Sequence, residues 1–213
     1  MTERAIQLIN KLERQVVLND KIQLSELLQK HHVLDFESII EFQINFGGLI
    51  FKAGLEPVCW GIHHLTPRGE FKYYGEEIIG FSHPNEYPEF SLLCADTLYQ
   101  VRWTIDKTGA IFEDFDILTT SFEKMIDDYA LWNEIIEKKE IEVFERNIYG
   151  KSLDEVVSSL ENVIPIEEIQ EPGIKWFKFQ TNCMLLERNK EIIVFGPINY
   201  DKKQREKIIE RIK

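Results

Sequence analysis

Residues 91–137 read SLLCADTLYQVRWTIDKTGAIFEDFDILTTSFEKMIDDYALWNEIIE, and a change of period inside them decides the fold. From Tyr99 to Asp106, Tyr99, Val101, Trp103 and Ile105 alternate with Gln100, Arg102 and Thr104, the two-residue period of a half-buried strand. Asp106-Lys107-Thr108-Gly109 then reads as a turn closed by a glycine that takes a positive φ without a Cβ clash, and Ala110 to Phe115 returns as the second arm of a hairpin. After this the period lengthens. Thr120-Ser121-Phe122-Glu123 fits a capping box, with Thr120 as the cap and Glu123 reaching back. Phe122, Met125, Ile126, Tyr129, Ala130 and Ile136 follow at helical spacing, which turns Asp127, Asp128 and Glu134 away from the apolar stripe. A strand and a helix must each bury an apolar face, so Val101, Trp103, Ile105, Phe122, Ile126 and Tyr129 are expected in one core.

On the N-terminal side, residues 2 to 17 carry Ala5, Ile6, Ile9, Leu12 and Val16 at near-helical spacing. Leu24, Leu27 and Leu28 suggest a second helix, and a third opens at Asp35 and stops at Gly47-Gly48. Gly47 suits the left-handed position after a helix, and Gly48 lets the chain reverse into Leu49 to Phe51. From there to Phe90, glycines and prolines punctuate the chain, with strand candidates at Pro57 to Ile62 and Glu70 to Tyr74 and a buried strand at Phe90 to Ala95. Beyond the central helix lies a charged connection, Lys138 to Gly150, then a helix from Ser152 to Val163 with Ser152 as cap and Glu155 at its third position. Pro165 and Pro172-Gly173 close that section. Lys175 to Leu186 and Glu191 to Phe195 then flank Glu187-Arg188-Asn189-Lys190 as a second hairpin, and Tyr200 to Lys213 is a basic helix. The expected class is α+β, a mixed and largely antiparallel sheet with helices packed on it. The expected division is a domain over residues 1–150 and a helix–hairpin–helix extension over 151–213, which either stands as a separate lobe or packs onto the same domain.

The chain has 213 residues, 44% of them hydrophobic and 12% aromatic, enough to build a core and too apolar for disorder. Its opening, MTERAIQLINKLERQ, alternates charged and apolar positions instead of forming a secretory apolar run. The longest uncharged run, Pro57 to Pro67, has eleven residues and falls well short of a membrane span. Cys59, Cys94 and Cys183 are odd in number and sit in apolar surroundings, which reads as reduced core thiols in a cytoplasmic protein. The net charge of −12 is unevenly spread: residues 1–109 hold 15 acids to 10 bases, residues 110–171 hold 17 to 5, and residues 172–213 hold 5 to 10. An acidic middle repels nucleic-acid phosphates and attracts basic partners, unless its only task is solubility.

Chemistry finds little purchase. His63, His64 and His83 lack metal-ligand spacing, because adjacent histidines on a strand face opposite ways and no HExxH or CxxC accompanies them. Asp114 and Asp116 could form a carboxylate pair, but no second motif supports acid–base catalysis. Cys94 and Asp96 lie in SLLCAD, an apolar setting that keeps a thiol inert. Gly47-Gly48 follows a helix, whereas a phosphate cradle needs glycines before one. The residues therefore predict no enzyme, no metal and no cofactor.

The order of these signals resembles the SUKH superfamily, also called Smi/Knr-like. The resemblance is carried by a helix ending in Gly-Gly (IIEFQINFGG, 39–48), a Trp-containing strand (VCWGI, 58–62), a hairpin with an Asp-x-x-Gly turn (WTIDKTGAIF, 103–112) and the helix TSFEKMIDDYAL (120–131). It covers residues 35–137; the chain departs from the family where Leu34-Asp35 replaces a common proline, and in its length beyond 150. The resemblance implies an α+β domain without catalytic residues. It also implies that the protein binds and neutralises a cognate toxin, such as a nuclease or deaminase. A regulatory scaffold is the alternative, and an unrecognised small-molecule binder or hydrolase the third. The charge distribution suits the first, because an acidic inhibitor can cover a basic active surface. The expected partner-binding residues are Glu113, Asp114, Asp116, Asp127, Asp128 and Glu134, with Gly47, Gly48, Gly109 and Thr120 as structural turn and cap positions.

Overall fold

The turn at Asp106 forms in the computed structural model as its composition predicts. One oxygen of the Asp106 carboxylate accepts from the Thr108 N–H at 2.9 Å, the Thr108 hydroxyl at 2.6 Å and the Ala110 N–H at 3.0 Å. Gly109 takes φ of +90°, and its N–H donates to the Asp106 carbonyl. The structure describes residues 1–30, 37–51, 57–65, 71–73, 91–96, 103–113, 116–146, 148 and 151–213. Asp35, Tyr99 and Val101, to which the sequence assigns a cap and two strand positions, lie outside the described residues. Those described form two compact units, one of Ile6–Phe122 and one of Met1–Ala5 with Glu123–Lys213. Every strand pair among the described residues is antiparallel, and the class is α+β.

The first unit holds α1 (Glu3–Ile9, which starts in the other unit), β1 (Glu13–Arg14), α2 (Lys21–Lys30) and α3 (Glu37–Phe46). The long first helix expected over residues 2–17 is therefore cut short, because residues 13 and 14 leave it to pair with β2 (Leu49–Phe51). β3 (Val58–Trp60) continues that sheet. β4 (His63–Leu65) and β5 (Phe71–Tyr73) pair separately, and β6 (Ser91–Leu93) and β7 (Ala95–Asp96) split what reads as one strand. β6 joins β8 (Trp103–Asp106), β9 (Ile111–Glu113) and β10 (Asp116–Thr119), whereas β7 pairs with β3, so the chain changes sheets at Cys94. β8 lies between β6 and β9 with Thr104 and Ile105 both buried, so it is covered on both faces and not half-exposed as its alternation suggested. The aromatic centre is Phe122, whose ring centroid lies 4.9 Å from those of Phe42 and Phe46 and 4.8 Å from Trp60, itself stacked on Trp103.

The two glycines after α3 have different tasks from those expected. Gly48, not Gly47, is left-handed, with φ of +84°, and its N–H donates to the Trp60 carbonyl. At Gly47 the need is space: a Cβ there would lie 2.6 Å from the side-chain nitrogen of Gln43. Gln43 is fully buried and spends that side chain on the Leu18 carbonyl (3.0 Å) and the Ile62 N–H (2.7 Å), so a polar residue ties the helix to two loops.

The second unit is built on α4 (Phe122–Lys138, whose first residue belongs to the first unit), β11 (Ile141–Arg146), α5 (Leu153–Ser159), β12 (Ile164–Glu171), β13 (Ile174–Phe179), β14 (Cys183–Arg188), β15 (Glu191–Pro197) and α6 (Lys202–Ile212). Its sheet runs β11-β15-β14-β13-β12. Trp176, Leu186 and Ile193 align across β13, β14 and β15 on the face that meets α4, where Trp132 packs edge-on to Trp176 and Phe195. Phe179, Cys183, Leu185 and Val194 lie on the other face in a core with Val156 of α5 and Ile208 and Ile212 of α6. The helix–strand–strand–helix extension expected for 151–213 is thus corrected in three places. β11, drawn from the charged connection, is an edge strand of this sheet, so the chain does not divide at 150. Lys175 to Leu186 is two strands joined by Gln180-Thr181-Asn182, with Gln180 and Asn182 left-handed. β12 contains Pro165, a residue that reads as a terminator but is tolerated at an edge.

Candidate functional site

β12 is interrupted where its burial pattern is most regular. Ile164 and Pro165 pair with Lys178 and Phe177, and pairing resumes only at Gln170 with Lys175, so Ile166-Glu167-Glu168-Ile169 stands opposite the single residue Trp176. Ile166 and Ile169 are buried at the two feet of this bulge, and Glu167 and Glu168 are exposed at its crest. The bulge is held from within. The Gln170 amide donates to the Trp176 carbonyl at 2.7 Å and to the Ile166 carbonyl at 3.2 Å, and the Lys124 ammonium donates to the Glu168 carbonyl at 3.0 Å. Extra residues in one strand leave backbone groups without ladder partners, and side-chain bonds of this kind supply them. The result is a held backbone projection at a sheet edge that carries two exposed acidic side chains. The signal was present in the sequence as IEEI, two apolar residues three apart enclosing two acids, but Pro165 masked it.

The expected partner residues separate into distinct groups. Asp127 and Asp128 are withdrawn from the surface, at 2% and 0% exposure, and this corrects their assignment to a partner face. Asp127 accepts from the Thr2 N–H at 2.7 Å and the Thr2 hydroxyl at 2.8 Å. Asp128 accepts from the Trp176 indole at 2.7 Å and is ion-paired with Arg188, whose guanidinium also lies 5.7 Å from the centre of the Tyr129 ring. A buried carboxylate is tolerable only when charge-paired or hydrogen-bonded, which these two satisfy inside the second unit. Glu134 is partly exposed between Arg4 and Lys138, and its bond from the Lys138 ammonium, with Arg4 nearby, holds its carboxyl below the ordinary carboxylate range. Glu113 and Asp116 are cross-strand partners on β9 and β10, and Asp116 is exposed. Asp114 and His83 lie outside the described residues. Thr120 is exposed, and α4 begins at Phe122, so Ser121 and not Thr120 immediately precedes it.

Among the described residues no group of three His, Cys, Asp or Glu is placed to hold a metal ion, and no helix is long and apolar enough to cross a membrane. Cys59, Cys94 and Cys183 are buried and form no disulfide, and burial pushes the Cys94 thiol well above its ordinary value. No family model matches the chain, and neither a curated protein nor a solved structure does so.

Proposed function

We propose that the protein is a cytoplasmic, SUKH-like protein-binding module whose partner is a cognate toxin, neutralised when acidic projections on this chain cover the toxin's basic, nucleic-acid-directed surface. The observation that carries the reading is the β12 bulge, with Glu167 and Glu168 exposed on a backbone fixed by Gln170 and Lys124. A backbone already held in place loses little freedom on binding, and the field of the two carboxylates it carries raises the rate of encounter with a basic surface. Glu113 and Asp116 remain in this proposal as the acidic edge of the first unit, and Asp127 and Asp128 leave it.

Charge reversal of both bulge acids, Glu167→Lys with Glu168→Lys, tests it. A gene directly upstream encoding a toxin with a variable C-terminal domain supplies the partner, and association is measured by stopped flow at low and moderate salt. The expected result is an on-rate at least about tenfold slower at low salt and less dependent on salt, with the thermal unfolding midpoint retained. An on-rate equal to that of the parent protein would remove the bulge from the interface, and failure of the parent to neutralise that toxin in co-expression would overturn the function itself.

A further inference from the structure

A groove of about 280 Å³ opens along α6 in the second unit. Gln204, Lys207, Ile208 and Arg211 line it at i, i+3, i+4 and i+7, one face of the helix. Tyr200, Gln180 of the β13–β14 turn and Glu161 complete the lining.

The groove is rich in donors and poor in acceptors. The Gln204 side-chain oxygen is spent on the Asp201 N–H at 2.9 Å, which leaves its amide N–H groups for the groove. The Tyr200 hydroxyl lies 3.4 Å from the Thr181 carbonyl and also bonds the Cys183 thiol, a long bond and a weak sulfur partner that an oxyanion outcompetes. Arg211 pairs with Glu161 at 3.2 Å, and Glu161 is 72% exposed, so the one carboxylate in the lining is already matched. Lys207, one turn before Arg211, makes no hydrogen bond or ion pair among the described residues. The lining therefore carries an excess positive charge in a protein whose net charge is −12.

We propose that this groove binds a compact oxyanion, a phosphate or carboxylate group seated between Lys207 and Arg211 with Tyr200 and Gln204 as further donors and Ile208 beneath it. Two cations one helical turn apart with neutral donors beside them match an oxyanion's several lone pairs. The site is independent of the acidic bulge and of any toxin.

The full chain, labelled with ¹⁵N, is titrated with sodium phosphate in one arm and sodium succinate in another, against sodium chloride at equal ionic strength. Saturable shifts at the amides of Tyr200, Lys207 and Arg211, with a midpoint in the millimolar range, are the expected result in at least one arm, and the arm that saturates first identifies the headgroup. Lys207→Gln should weaken that midpoint at least about fivefold. Glu161→Gln removes a repelling carboxylate and should tighten it, a change of sign that general damage to the groove does not produce. Shifts reproduced in full by chloride, or a midpoint unchanged in Lys207→Gln, would overturn the assignment.

Discussion

Asp128 shows how much one side chain can hold in place. It sits in the second turn of α4, has no solvent exposure, and joins two strands of the sheet by accepting from Trp176 on β13 and Arg188 on β14. Replacing it by asparagine keeps an acceptor for the indole but leaves the partly buried Arg188 guanidinium beside an amide in place of a carboxylate. Breaking one side of a buried pair costs about 3–5 kcal/mol. Asp128→Asn should therefore lower stability by about 3 kcal/mol in urea unfolding, and a loss below about 1 kcal/mol would mean that the pair only offsets its own desolvation. Its neighbour Asp127 has the same side chain but a neutral setting, taking its hydrogen bonds from the Thr2 hydroxyl and N–H. Sequence patterning placed both opposite the apolar stripe, where carboxylates normally meet water. A stripe says which residues avoid water and nothing about which polar residues are also enclosed, and here a second sheet face and the N-terminal turn of α1 supply the enclosure.

At the level of elements, the β12 bulge depends on Gln170 more than on its own acids. Its amide bridges the carbonyls of Ile166 and Trp176 across the gap in the ladder, so Gln170→Ala leaves both to find water. The cost should be about 1–2 kcal/mol. Hydrogen exchange at the amides of residues 166 to 169 should accelerate by more than the global unfolding rate explains, and uniform acceleration across the sheet would show that the bulge has no independent role. Elements defined by local chemistry are legible in the order of the residues themselves. The Asp106–Gly109 turn is one, and the α5 capping box is another, with Ser152 accepting from the Glu155 N–H and Glu155 accepting from the Ser152 N–H. Elements defined by pairing with distant chain are not. β1 is two residues long and exists because Gly48 and Gln15 meet. β12 reads as a proline-broken loop because nothing local reveals that it lies at a sheet edge. The task of Gly47 is hidden for the same reason: the close approach that demands a glycine there comes from Gln43, a polar residue whose burial no period announces.

For the chain as a whole, the acidic excess of residues 110–171 was plain from composition, but its division between interior and surface was not, since Asp127 and Asp128 are consumed by folding and Glu167 and Glu168 are presented by it. The same division shapes the response to pH. Glu155, bonded first by the Ser152 backbone, Glu134, by Lys138, and Glu145, by Lys213, all have carboxyls held below their ordinary value of 4.5. A lowered carboxyl binds fewer protons folded than unfolded, so its contribution is complete above about 4.5 and is lost as pH falls through the folded value. On the alkaline side Lys21 and Lys138 are raised above 10.5 by their bonds to Glu37 and Glu134, and their contributions vanish as pH rises through the folded values. The buried thiols act earlier: burial keeps Cys94 protonated well above 9.0 and also raises Cys183, while the unfolded thiols ionise near 9, so stability begins to fall there. The urea midpoint should accordingly be level between about pH 4.5 and 9 and decline on both sides. Salt separates the causes. The acidic-side groups are largely exposed and screened, so about 1 M sodium chloride should make that limb shallower, whereas the limb above about 9 should persist in salt and flatten in Cys94→Ala. An alkaline limb that is unchanged in Cys94→Ala would show that Cys94 does not set the upper boundary and would leave it to Cys183, Tyr200 and the lysine pairs, all of which are also raised.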